Sequence, residues 1–230
     1  MTDDERALRR AIIDTCNAMT ARGLNQGTSG NVSRRIDGGL LITPSGLAYE
    51  TMTPEDIVEL RFDGSYRGAH RPSSEWRFHR DILEARADVD VVLHNHATFA
   101  TTLACFERGI PPFHYMTAVA GGHDIRVSPY ACFGTQELSD RVLAALEGRF
   151  ACLMGHHGLV TVAPTLEKAL KLAVEVETLS KMYVHALAIG EPPHLSAAEM
   201  DRVLAQMRRM SYGGAPDRDT AGDPPRAAAE

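Results

Sequence analysis

Apolar positions recur three and four residues apart over residues 4–22, where Leu8, Ile12, Thr15, Cys16 and Met19 fall on one side and Gly23 follows as a stop. That spacing predicts an amphipathic helix. The period then shortens. Val32–Ile36 and Leu40–Thr43 read as two strands joined by Asp37-Gly38-Gly39, a hairpin signal, and Pro44-Ser45-Gly46 breaks the second strand. Thr53-Pro54-Glu55-Asp56 has the form of a helix cap with proline at the first position, and a strand over Ile57–Phe62 follows before the turn Asp63-Gly64-Ser65. Residues 74–86 read as a helix with Trp76, His79, Ile82 and Leu83 on one side. Residues 89–93 read as a strand, and 97–108 as a small-residue helix stopped by Gly109 and Pro111-Pro112.

The second half continues in the same vein. Ile125–Val127 predicts a strand, and Thr135–Leu146 a helix with Leu138, Val142 and Leu146 four apart. Ala151–Met154 and Leu159–Val162 predict strands around Gly155-His156-His157-Gly158. Thr165–Ile189 predicts a long helix with Leu166, Leu170, Ala173, Val176 and Met182 or Tyr183 along its buried face, and Met200–Met210 a weaker one. Strands and helices alternate irregularly, with hairpins as well as crossovers. The expected fold is a single α/β domain over residues 1–212, with a central mixed, largely antiparallel β-sheet and helices on both faces (a three-layer αβα arrangement). Residues 213–230, rich in Gly, Pro, Ala and charge, read as a flexible tail.

Composition changes this picture little but closes off some functions. Hydrophobic residues make up 44% of the 230 and charged residues 23%, and the formal net charge is -6. No dense basic block gives a nucleic-acid footprint. No run of about 18 apolar residues spans a membrane. The first ten residues are charged, unlike a secretory signal. Cys16, Cys105, Cys132 and Cys152 are widely spaced among apolar neighbours, with no C-x-x-C pair. They read as reduced core thiols of a cytoplasmic protein.

Candidate chemistry begins at Val91-Val92-Leu93-His94-Asn95-His96. On a strand, side chains two apart share a face, so His94 and His96 project together and can grip one divalent metal. His156 and His157 lie at the end of another apolar strand. Alternation sends them to opposite faces, and spacing alone does not choose between them. Glu75, in Pro72-Ser73-Ser74-Glu75-Trp76, reads either as a first-turn acid complementing a helix dipole behind a serine cap or as a general base or fourth metal ligand, with Trp76 helping to exclude water. Thr28-Ser29-Gly30-Asn31, Pro44-Ser45-Gly46 and Ser73-Ser74 offer the hydroxyls and free backbone N–H groups that suit a phosphate. The remaining histidines, 70, 79, 114, 123, 185 and 194, read as surface or packing residues.

Taken in order, Asn25-Gln26-Gly27-Thr28-Ser29-Gly30-Asn31-Val32-Ser33, Leu41-Ile42-Thr43-Pro44-Ser45-Gly46, Pro72 to His79, His94-Asn95-His96-Ala97, Ile110 to Tyr115 and His157-Gly158 resemble the class II aldolase and adducin-head family from about residue 5 to residue 212. The resemblance implies a zinc-dependent homotetramer with its active site between subunits. It places zinc on His94, His96 and His157, leaving His156 as a surface or packing residue, and gives the acid/base role to Glu75, which is sometimes also a ligand. It puts the phosphate of a sugar substrate near Thr28, Gly30, Asn31, Ser45, Gly46, Ser73 and Ser74. Tyr115 then reaches in from a neighbouring subunit as a proton donor, and Tyr212 resembles the family's tail tyrosine, which folds over the site. The implied reaction is reversible cleavage of a ketose 1-phosphate into dihydroxyacetone phosphate and an aldehyde. The family also includes 4-epimerases of ribulose phosphate, a methylthioribulose phosphate dehydratase, decarboxylases of sugar acids and the adducin-like interaction module. His114-Tyr115-Met116 favours the aldolases, and the histidines together with Glu75 argue against the module.

Overall fold

The computed structural model describes residues 1–210. One eight-stranded sheet runs through it. Its strands are β1 (Asn31–Ile36), β2 (Gly39–Ile42), β3 (Val58–Arg61), β4 (Tyr66–Arg67), β5 (Val91–Asn95), β6 (Arg126–Ser128), β7 (Ala151–Met154) and β8 (Gly158–Ala163). They lie in the order β4-β3-β2-β1-β5-β8-β7-β6, antiparallel throughout except for the β6–β7 pair. The helices are α1 (Asp3–Ala21), α2 (Trp76–Ala85), α3 (Thr98–Cys105), α4 (Gln136–Ala145), α5 (Leu166–Leu187) and α6 (Ala197–Arg209). The expected three-layer α/β arrangement with a largely antiparallel mixed sheet is what the chain adopts.

The two faces of the sheet carry separate cores because alternate residues on each strand face opposite ways. Val32, Val91, Leu93 and Leu159 pack with Ile12, Cys16 and Met19 of α1, Leu103 of α3 and Val176 and Tyr183 of α5. Leu40, Ile42, Val92, Val160 and Val162 pack on the other face with Phe78, Ile82 and Leu83 of α2 and Leu138 and Val142 of α4. Along α5, Tyr183 takes the buried position and Met182 stands at the surface.

The structure also adjusts several expectations. The two-residue strand β4 carries only exposed side chains, so no burial pattern announces it. The 3-10 segment Tyr115–Ala120, opened by His114 accepting the N–H of Met116, is too short to show a helical period. Helix α3 stops at Cys105, short of residue 108, where Glu107 takes a left-handed backbone (φ 47°). Cys16 and Cys152 are core thiols, but Cys105 and Cys132 are exposed. Cys105 ends α3, and Cys132 sits in the loop before α4. Tyr212 and the tail 213–230 lie outside the described residues.

Candidate active site

The site forms where the ends of β1, β2 and β5, the start of α2 and the β7–β8 turn meet. Antiparallel pairing sets Asn31 at the start of β1 beside His94 near the end of β5, and pairs His94 with Val160 and Asn95 with Leu159 of β8. The hairpin from β7 to β8 closes through Gly155, His156 and His157, with Met154 opposite Gly158. His156 takes a left-handed backbone there (φ 53°), and the turn removes the alternation expected of a strand. Both histidines therefore border one cleft, and His157 is the one that joins His94 and His96.

A nitrogen from each of these three imidazoles lies within 4.8 Å of the other two. His94 Nε2 and His96 Nε2 are 3.1 Å apart. His94 Nδ1 lies 3.0 Å from the carbonyl of Leu159, so Nδ1 carries the proton and Nε2 keeps its lone pair. Burial pushes the His94 imidazole down to about 3, Glu75 partly offsetting this, and burial with the neighbouring His157 also lowers His96. In His94 and His96, two ring nitrogens turned toward each other are what a cation needs and what two lone pairs alone disfavour. Gly158 permits the close packing. A Cβ there would lie 2.4 Å from the carbonyl of Asn95, 3.0 Å from His96 Cδ2 and 3.2 Å from His94 Cε1.

Glu75 stands beside this group and is buried (7% exposed). It occupies the cap position of α2, and its own N–H reaches Ser73 Oγ at 3.3 Å. Oε2 accepts from Asn31 Nδ2 at 3.0 Å and lies 3.3 Å from His94 Nε2. Oε1 lies 3.1 Å from His157 Nε2, yet has no well-formed hydrogen bond. Burial opposes ionisation of this carboxyl, but polar neighbours, the Asn31 amide among them, outweigh it and hold the group well below the usual carboxylate range. The carboxylate thus adds a fourth oxygen donor or a base to the nitrogen set, and the donors present fit a divalent metal. Trp76 does not close the site. It points away toward Gly64, flanked by Arg77 and Arg80.

A cleft of about 420 Å³ opens from these groups. One wall holds Thr28, Ser29, Gly30, Asn31, Ser45, Gly46, Ser73 and Ser74. Backbone pairing gathers them: Pro44 bridges Pro72, Ser45 N–H donates to the carbonyl of Arg71, and Ser73 N–H donates to that of Thr43. Gly30 (φ 82°) must be glycine, because a Cβ would meet Asn25 Nδ2 at 2.5 Å and the carbonyl of His94 at 2.6 Å. Ser73 and Ser74, just before α2, put their hydroxyls on the same wall. The opposite wall holds Tyr130, Ala131, Phe133 and His156.

Every residue the sequence nominated for the metal and phosphate positions within 28–157 thus lines this cleft except His94, which is fully buried against His96 and Glu75. Tyr115 lies elsewhere. It is half exposed on its 3-10 segment and does not border the cleft of its own chain. Sequence reasoning passed over several supports. Asn25 Oδ1 accepts the N–H of His96 at 2.9 Å, and the Tyr49 hydroxyl lies 2.8 and 2.7 Å from the carbonyls of Ser29 and Gly30. His79, assigned to packing, is fully buried and hydrogen-bonded to Asn31. Asn25 sat inside a quoted motif, whereas nothing local marks Tyr49.

Three imidazoles leave part of a metal's coordination open toward the cleft, the pattern of catalytic rather than structural sites. Fold and site together therefore define an enzyme with room for one metal ion and an anionic substrate. Comparison with known proteins gives the lineage: residues 10–184 match the model of the Class II Aldolase and Adducin N-terminal domain, and the chain belongs to that family. It is 55% identical to the 5-methylthioribulose-1-phosphate/5-deoxyribulose-1-phosphate aldolase of Rhodospirillum rubrum, over 90% of this chain and 93% of that protein. It is 49% identical to the L-fuculose phosphate aldolase of Escherichia coli K12, over 90% and 95%. A solved L-fuculose 1-phosphate aldolase superposes with a TM-score of 0.85 at 36% identity, covering 90% of this chain and 98% of that one.

Proposed function

We infer that this chain is a metal-dependent class II aldolase. It reversibly cleaves a ketose 1-phosphate, either L-fuculose 1-phosphate or a 5-deoxy- or 5-methylthio-pentulose 1-phosphate, to dihydroxyacetone phosphate and an aldehyde. The observation that carries this is the meeting of His94, His96 and His157 with the buried Glu75 beside a cleft lined by hydroxyls and glycines. The aldolase names of relatives that share nearly the whole chain support it.

His94, His96 and His157 would hold zinc, with Glu75 as an occasional fourth ligand. When bound, the ion supplies Lewis acidity to a carbonyl oxygen beside it. Hydroxyls and backbone N–H groups of Thr28, Gly30, Asn31, Ser45, Gly46, Ser73 and Ser74 hold the phosphate and so fix the sugar along the cleft. In cleavage the C3–C4 bond breaks, its electron pair stays with the three-carbon fragment, and the C4 hydroxyl proton goes to the phenolate of Tyr115 of a neighbouring subunit. Glu75, after taking a proton from water, delivers it to C3. In synthesis both run in reverse: Glu75 removes the C3 proton and the Tyr115 phenol protonates the aldehyde oxygen. The exposure of Tyr115 away from its own cleft suits that role, and with it a homotetramer whose sites lie between subunits. Tyr212 is assigned to cover the site. Four unpaired cysteines suit a cytoplasmic enzyme.

The test is a substrate panel of L-fuculose 1-phosphate, 5-methylthioribulose 1-phosphate, 5-deoxyribulose 1-phosphate and L-ribulose 5-phosphate. Dihydroxyacetone phosphate is expected from one or more of the first three, lost on chelation and restored by zinc. An epimer from the last with no triose phosphate from any would replace the aldolase with a 4-epimerase. A dehydrated methylthio sugar without triose phosphate would point to the dehydratase. Purified protein with only a trace of metal and no turnover would leave the adducin-like module.

A further inference from the structure

Behind Glu75 runs a buried polar chain that none of the proposed steps uses. Ser33 and Asn31 lie two apart on β1 and share a face, and Glu75 and His79 lie one turn apart at the start of α2. Ser33 and His79 are fully buried and Asn31 is 4% exposed. Ser33 Oγ lies 2.7 Å from His79 Nδ1, His79 Nε2 meets Asn31 Oδ1, and Asn31 Nδ2 reaches Glu75 Oε2 at 3.0 Å. Phe78 stacks on the imidazole with ring centres 4.6 Å apart.

The directions of these bonds are forced. An ionised carboxylate only accepts, so Asn31 must turn its NH2 toward Glu75 and its oxygen toward His79. That oxygen also only accepts, so the His79 proton sits on Nε2. Nδ1 is then a lone pair, and the Ser33 hydroxyl donates to it. Each donor has one acceptor, and the chain runs one way from Ser33 to Glu75. Reversing the Asn31 amide would set oxygen against oxygen at the carboxylate, and His79 blocks that reversal by supplying a donor where only Oδ1 fits.

We propose that His79 is a positioning residue: by fixing the Asn31 amide it commits Oε2 of Glu75 to a hydrogen bond and leaves Oε1 as the oxygen available for proton transfer. The asymmetry at Glu75 is the corresponding observation: Oε2 accepts from Asn31, whereas Oε1 is buried with no well-formed hydrogen bond and faces His157 Nε2 at 3.1 Å. The imidazole is neutral in this role, and burial favours that form by pushing it down to about 3. The kinetic consequence rests on Glu75 being the proton carrier of the aldolase reaction proposed above, whereas the hydrogen-bond chain does not.

The experiment has two arms. Long-range 1H–15N spectra of the unmodified protein should show His79 as the Nε2–H tautomer, with Nδ1 unprotonated. An Nδ1–H tautomer or an imidazolium overturns the proposal. In the second arm, H79L removes the donor at similar volume, while H79Q places an amide donor near the position of Nε2. H79L should lower kcat about 10- to 100-fold, with metal content unchanged and KM moved less than kcat. H79Q should recover most of that loss, and S33A should cost only a few-fold. Equal kcat for H79L and wild type, equal losses for H79L and H79Q, or a loss that follows metal content overturns it. Should H79L fail to fold, S33A, H79Q and the tautomer still decide. Wild-type protein with a full metal complement and no aldol cleavage sinks the aldolase reading instead, and the tautomer then judges the chain alone.

Discussion

Asn31 and Glu75, 44 positions apart in sequence, share a 3.0 Å hydrogen bond that ties the start of β1 to the start of α2, with Oε2 of the carboxylate 3.3 Å from His94 Nε2 and Oε1 3.1 Å from His157 Nε2. That carboxylate carries the proton transfer proposed here, so E75Q should lower kcat about 100-fold or more while the three imidazoles still bind metal. Steady-state kinetics paired with elemental analysis checks this. Near-normal turnover in E75Q would remove Glu75 from the reaction.

Gly158 sets how closely the imidazoles approach. In G158A the added methyl has backbone on one side and both His94 and His96 on the other, so the rings must separate. The expected cost is about 1–3 kcal/mol of stability together with weaker metal retention. Thermal unfolding with and without zinc measures both. An unchanged melting temperature and a full metal complement would contradict the packing argument.

Acid should destabilise the metal-free protein in a defined window. Burial lowers His79 and His94 from 6.5 to about 3, so between those values the unfolded chain takes up protons that the folded chain refuses. Stability is therefore complete above about pH 6.5 and falls as the pH drops below it. The slope should approach about 1.4 kcal/mol per pH unit for each of the two groups. Urea titrations at stepped pH give this slope. H79Q should roughly halve it, and a flat profile between pH 6.5 and 5 would refute the assignment of neutral buried imidazoles.

Helix α3 begins directly after His94 and His96, the candidate metal ligands, yet Ala97 at its cap position offers no side-chain oxygen. Glu177 of α5 supplies both of its own, accepting the N–H of Phe99 at 2.9 Å and of Ala100 at 2.8 Å. E177A should cost about 1–2 kcal/mol, as loss of a helix cap does. Denaturant unfolding checks it, with E177Q expected to lose less because one carbonyl oxygen remains to accept.

Much was legible from sequence because its signals are local. Period fixed the long helices, and the period-two rule alone put His94 and His96 on one face. The turn residues around Gly30, Gly46 and Ser73 marked one wall of the cleft. The choice of His157 over His156 was not legible from alternation, which fails where β7 turns into β8 through a left-handed His156. Nor was the exposure of Cys105 and Cys132, since apolar neighbours in sequence do not fix burial in space.

By itself, then, the sequence determined the α/β class, the strand-end histidine pair and the residue types of the cleft, because each depends on spacing over a few residues. Only the tertiary structure decided which distant groups meet. The antiparallel pairing of β1 with β5 and of β5 with β8 sets Asn31, His94 and the β7–β8 turn side by side. It also brought His79, expected to be a packing residue, into a hydrogen bond with Asn31 behind the carboxylate. Such contacts arise from strand order and register, which no short window of residues encodes.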